Sequence, residues 1–85
     1  MAKYKIEVKK SAVREIRKLG PGDLKRVLAK IESLAHNPRP SDCKKLSRDE
    51  KYRIRCGNYR ILYSIEDDIL VVYVVKVGHR RDVYR

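Results

Sequence analysis

Residues 52–65 read YRIRCGNYRILYSI. Two runs rich in Ile, Tyr and Arg flank Gly57-Asn58, a dipeptide of the type that closes a two-residue β-hairpin. The turn dictates the pairing: Cys56 meets Tyr59, Arg55 meets Arg60, Ile54 meets Ile61, Arg53 meets Leu62 and Tyr52 meets Tyr63. Side chains alternate between faces along a strand. Tyr52, Ile54, Ile61 and Tyr63 therefore share one face, the natural seat for helices. Arg53, Arg55 and Arg60 share the other. Like charges facing each other across a strand pair are destabilising. An anion held between them accounts for the cluster, because the planar arginine fork matches phosphate. A plain solvated charged face is the alternative.

The pattern continues on both sides of the hairpin. Residues 69–77, ILVVYVVKV, read as a third strand after an acidic turn at Asp67-Asp68. With a tight turn there, His79 falls on the face of Arg55 and Arg60. Neighbouring cations disfavour its charged form, so a neutral imidazole beside a phosphate clamp is a candidate acid or base. The alternative is a strand-end histidine with no role. Upstream, Tyr4, Ile6 and Val8 alternate as a first strand. Ser11 is placed to cap a helix carrying Ala12, Val13, Ile16 and Leu19 at helical spacing, ended by Gly20-Pro21. Leu24, Val27, Leu28, Ile31, Leu34 and Ala35 form the stripe of a second helix, stopped by Asn37-Pro38. The short link between the helices makes an antiparallel hairpin. The expected architecture is α+β in the order β-α-α-β-β-β, one domain over residues 1–85, helices on one face of a mainly antiparallel sheet whose last three strands form a meander.

Composition narrows the function. The 85 residues include 22 Lys and Arg against 11 Asp and Glu, a formal charge of +11. Such an excess points to a polyanionic partner: nucleic acid, an acidic protein or an anionic surface. A chain of this size buries only roughly 60% of its unfolded surface, so its stability margin is thin. The longest apolar run, 69–75, is far too short to span a bilayer. No export signal opens the chain, and two cysteines, Cys43 and Cys56, make neither a disulfide scaffold nor a metal spacing. A cytoplasmic protein without metal or cofactor is expected. His36 ends the second helix, where it meets the negative helix terminus. Tyr84 stands apart from the periodic segments, in a basic tail where it can stack on a base or donate a hydrogen bond.

The layout, with YRIRCGNYRILYSI followed by an acidic turn and ILVVYVVKVGHRRDVYR, closely resembles the RelE-type toxins of the RelE/ParE superfamily. The resemblance implies a type II toxin that enters the ribosomal A site and cuts mRNA without a metal. It implies an acidic, RelB-like antitoxin as partner in a hetero-oligomer, and no membrane association. By the family pattern the active surface comprises Arg53, Arg55, Arg60, Arg80 and Tyr84, with His79 as the further candidate from the strand reading. Lys44, Lys45, Arg81 and Arg85 are expected to bind RNA or the ribosome. One departure matters: well-known members carry lysines where this chain has Arg53 and Arg55. An arginine holds phosphate but cannot accept a proton, which leaves that task to His79, Tyr84 or the ribosome. A ParE-like gyrase poison and a non-catalytic RNA-binding module are the competing readings.

Overall fold

The computed structural model describes residues 3–46 and 50–79. Strand β1 spans Lys5–Val8, helix α1 Lys10–Arg17 and helix α2 Pro21–His36. Strands β2 (Cys43–Lys45), β3 (Lys51–Cys56), β4 (Tyr59–Glu66) and β5 (Val71–His79) follow. They form one sheet in the order β1-β5-β4-β3-β2. The expected α+β order is present, with two additions. The short strand β2 extends the meander, pairing Cys43 with Ile54, Lys44 with Arg53 and Lys45 with Tyr52. Strand β1 lies parallel to β5, so the sheet is mixed. A parallel neighbour requires a crossover; here α1, α2 and the rest of the sheet intervene.

The β3–β4 register is the one the hairpin dipeptide dictates, from Tyr52 opposite Tyr63 to Cys56 opposite Tyr59. Gly57 closes the turn at φ +61°, a left-handed conformation that suits glycine. On the helix side, Ile54, Ile61, Tyr63, Val72, Val74 and Val77 pack with Ala12, Ile16, Val27, Ile31 and Leu34 into one core. Burying each aliphatic side chain contributes about 1.5–3 kcal/mol, so this face decides where the helices sit. Helix α1 starts two residues earlier than a Ser11 cap allows. Lys9 is its N-cap and offers no side-chain cap. Its N–H donates instead to the Val74 carbonyl at 2.9 Å, which carries the ladder of β1 straight into the helix.

Strand β5 departs from the expected path. The turn takes in residues 67–70, with Leu70 at φ 54°. Pairing then runs from Glu66–Val71 to Tyr63–Val74, and resumes at Leu62–Lys76. Val75 is the extra residue of this bulge. Burial registers the slip, moving from Val72 and Val74 to Val77.

At the other end of the sheet a polar latch ties four segments. Arg39 Nη1 and Nη2 donate to the two Asp67 carboxylate oxygens at 3.2 and 2.9 Å. Arg39 Nε donates to the Tyr52 hydroxyl at 3.1 Å, and the Tyr4 hydroxyl donates to Asp67 Oδ1 at 2.7 Å. The buried Tyr63 hydroxyl donates to the Pro38 carbonyl at 2.8 Å, fixing the same loop from below. Arg39 first, then Tyr4, hold the Asp67 carboxyl down at about 2, below its ordinary 3.8. A depressed folded-state value means the latch stabilises fully above the ordinary carboxyl range and is lost as pH falls towards 2. The melting-temperature gap between the wild type and Asp67→Asn should therefore be widest at neutral pH and close between pH 4 and 2, as followed by circular dichroism. Tyr63→Phe removes one buried hydrogen bond and should cost about 0.5–1.5 kcal/mol in urea unfolding.

Candidate active site: an arginine cleft on the open sheet face

The sheet face turned away from the helices carries the charge. Arg55 is paired with Arg60, and Arg53 with both Leu62 and Lys44. Arg53, Arg55, Arg60, Lys44, Gly57 and Asp42 line a cleft of about 480 Å³. The three arginines lie together on the side expected, joined by Lys44 through strand β2. The Arg55 Nε–H reaches back to the Gly57 carbonyl at 3.4 Å, holding its stem along the turn. Rigid strands set the spacing of these guanidinium groups, so an anion entering the cleft meets charges already in position.

The other expected residues divide. Lys45 pairs with Tyr52, on the opposite side of the sheet from Lys44, and bridges to Glu50 at 3.5 Å. His79 is a correction. It pairs with Tyr59, and its ring stands edge-on to that tyrosine, with centroids 5.9 Å apart. Tyr59 packs against the core, so His79 is on the helix side and not beside Arg55 and Arg60. The longer turn alone would have kept His79 on the arginine face, because it adds two residues to the pairing. The bulge at Val75 adds one, and a one-residue slip moves every later side chain to the other face. Gly78, not His79, sits opposite Arg60. Arg80, Arg81, Tyr84 and Arg85 lie outside the described residues.

Three residues of this surface were not singled out from sequence. Asp42 lines the cleft and pairs with Lys30 at 3.2 Å. Lys76 is the row partner of Leu62, and therefore of Arg53's face, but Glu15 draws its ammonium away at 2.9 Å. The same Glu15 carboxylate accepts the Val77 N–H at 2.9 Å, just past the end of β1's pairing with β5. No periodicity in the sequence marks these contacts; they depend on where α1 lands against β5. Among the described residues, no group of three or more His, Cys, Asp and Glu side chains is placed to hold a metal ion. Nor, among them, is any helix long and apolar enough to cross a membrane.

Comparison with known proteins places this build. The family model of the ParE toxin of the type II toxin–antitoxin system parDE matches residues 6–84. The chain belongs to the RelE/ParE family of type II toxin–antitoxin toxins. Relatives named RelE and RelG match it. It is 32% identical over 87 residues to the RelE1 protein of Methanocaldococcus jannaschii, covering 98% of this chain and 97% of that one. It is 30% identical over 79 residues to the mRNA interferase toxin RelE of Escherichia coli, covering 91% and 83%. The archaeal RelE–RelB complex of Pyrococcus horikoshii superposes with a TM-score of 0.84 at 27% identity, covering 98% of this chain and 100% of that one.

The facing arginines generate a physical expectation independent of catalysis. A like-charge cross-strand pair costs about 0.2–1 kcal/mol. Arg55→Gln should raise the melting temperature at low ionic strength, and the gain should shrink in 0.5 M salt, where such repulsion is screened. A loss of stability at both ionic strengths would show that the pair is not under strain.

Proposed function

We propose that this toxin is a metal-independent endoribonuclease that cuts mRNA in the ribosomal A site by transphosphorylation. The observation that carries the reading is the set of Arg53, Arg55 and Arg60 in one cleft, with Arg55 facing Arg60. In the reaction the RNA 2′-oxygen attacks the adjacent 3′-phosphorus. The O2′–P bond forms, the P–O5′ bond breaks, and a 2′,3′-cyclic phosphate is left. DNA lacks the attacking group and is not a substrate. Negative charge gathers on the phosphoryl oxygens in the transition state. Arg55 and Arg60 hold those oxygens and Arg53 steers the strand, each stabilising charge where it develops. By the family pattern, Arg80 neutralises the leaving 5′-oxygen and Tyr84 moves the proton. His79 is the weaker candidate for that proton, because its partner across the sheet is Tyr59 and not Arg60. Lys44, Arg81 and Arg85 hold flanking RNA or the ribosome, and Lys45 sits at the margin. The substrate fixes the compartment as the cytoplasm.

A cognate acidic antitoxin is the proposed partner. The solved relatives from Pyrococcus horikoshii and Mycobacterium tuberculosis are toxin–antitoxin complexes. The charge of +11 supplies the attraction. Association with such a segment should slow steeply with added salt.

A gyrase-poisoning activity is the competing reading, favoured by the ParE description of the matching family model. In vitro translation with purified toxin separates the two. Cleavage within codons, mapped by primer extension, supports the nuclease; intact mRNA with trapped gyrase–DNA breaks overturns it. Single-turnover cleavage on programmed ribosomes tests the residues. Arg60→Ala should lose about 10²–10³ in rate. Tyr84→Phe should lose about 10²–10⁴, and His79→Gln far less. A full-rate Arg60→Ala enzyme would remove the arginine cleft from the mechanism.

A further inference from the structure

A second concavity, of about 470 Å³, lies on the other side of the β3–β4 turn. Arg26, Ala29, Lys30 and Ser33 of α2 form one wall, and Arg55, Cys56 and Gly57 the other. Arg55 and Gly57 also line the arginine cleft, so the two hollows are consecutive stations on one surface. Strand β2 leaves the way between them open, because its pairing with β3 ends at Ile54. Among the described residues, no strand lies beside the edge of β3 from Arg55 onward.

The wall on α2 is a helical face. Residues 26, 30 and 33 follow one another at spacings of four and three. They span about 10 Å along the axis at 1.5 Å per residue. The Arg26 guanidinium lies against the turn, its Nη1 atom 3.9 Å from where a side chain at Gly57 would begin. Its ion pair with Asp23 is long, at 3.9 Å, and the arginine is 71% exposed. Lys30 pairs with Asp42 of the cleft at 3.2 Å, a partly exposed pair. Exposed pairs of this kind contribute little and exchange readily for a better anion. Each cation can therefore turn to a phosphate without unfolding anything.

Building on the reading of the arginine cleft as an RNA site, we propose that this groove is a second phosphate subsite. It holds a backbone phosphate of single-stranded RNA next to the one in the cleft, with Arg26 and Lys30 as its ligands and Arg55 bridging the two. The floor favours RNA over an acidic protein segment. A docked peptide helix needs pockets for large apolar anchors. The apolar side chains that line the groove are Ala29 and half-buried Cys56, both small. A basic groove that follows a backbone is the usual design for single strands.

The test uses the full-length toxin and a fluorescent six-nucleotide 2′-O-methyl oligouridylate, whose blocked 2′-oxygen isolates binding from cleavage. Anisotropy titrations over a salt series give the slope of log affinity against log salt. Each phosphate neutralised on a single strand contributes roughly 0.7 to that slope, so Arg26→Gln/Lys30→Gln, which empties one phosphate position, should lower it by about 0.7. Lys3→Gln/Lys5→Gln, at the opposite edge of the sheet, removes the same charge and should change it far less. An equal fall in both double variants, or none in the first, overturns the subsite. Arg60→Ala separates this from the parent reading. If it weakens binding while Arg26→Gln/Lys30→Gln does not, only the second subsite fails. If Arg60→Ala binds as the wild type does, the cleft reading fails and the subsite with it. A ten-residue polyglutamate that binds through Arg26 and Lys30, while RNA is indifferent to them, would assign the groove to an acidic protein and overturn the proposal.

Discussion

One left-handed residue fixes both surfaces of the sheet. With Gly57 at φ +61°, β3 and β4 can register in only one way, Ile54 against Ile61 and Arg55 against Arg60. A shift of one residue would send the isoleucines to solvent and the arginines beneath the helices. The cost of burying unpaired guanidinium groups forbids that alternative far more strongly than the turn itself prefers the native one. Core and cleft are thus two readings of one register. The aliphatic face supplies the stability that lets the other face hold like charges close together.

That balance is demanding in so small a domain, and the arrangement of polar contacts reflects it. The latch of Arg39, Asp67, Tyr4 and Tyr52 ties the loop after α2 to the β4–β5 turn and the approach to β1. Glu15 takes over where β1 stops, accepting the Val77 N–H and pairing Lys76. Both devices act at the margins of the sheet, where apolar burial is poorest. Asp67 and Glu15 stand away from the lining of the arginine cleft. These two carboxylates thus brace the scaffold away from the cleft, whose lining holds Asp42 among its cations.

Much of this was legible in the sequence, because the hairpin carries short-range information: a turn dipeptide and a period of two. The helices were legible from their stripes, and the face of Arg53, Arg55 and Arg60 followed. What escaped depends on contacts between distant segments. Strand β2 has three residues, CKK, and no alternation of its own; it is a strand because the Arg53 edge accepts it. The pairing of β1 with β5 joins the two ends of the described fold. The bulge at Val75 sits in a run of valines whose sequence is equally compatible with either register, VVYVV having no polar residue at a fixed phase. Its shift becomes visible only through Val77 in the core and His79 against Tyr59.

The bulge has a consequence for the chemistry of the cleft. Without it, β5 would have brought an imidazole to the arginines, and with it a proton exchanger near neutral pH. With it, Gly78, which has no side chain, lies opposite Arg60. A guanidinium donates hydrogen bonds but accepts none and does not give up its proton in proteins. The arginine part of the cleft is therefore an electrostatic device of constant sign. On the nuclease reading proposed above, it would hold a phosphate and follow its charge through the transition state but would not take the 2′-proton. On that reading, clamping by β3 and β4 is separated along the chain from proton transfer, which falls to Tyr84, His79 or the ribosome. A toxin divided in this way would keep its grip on RNA when the proton carrier is lost, because the two tasks would share no atom.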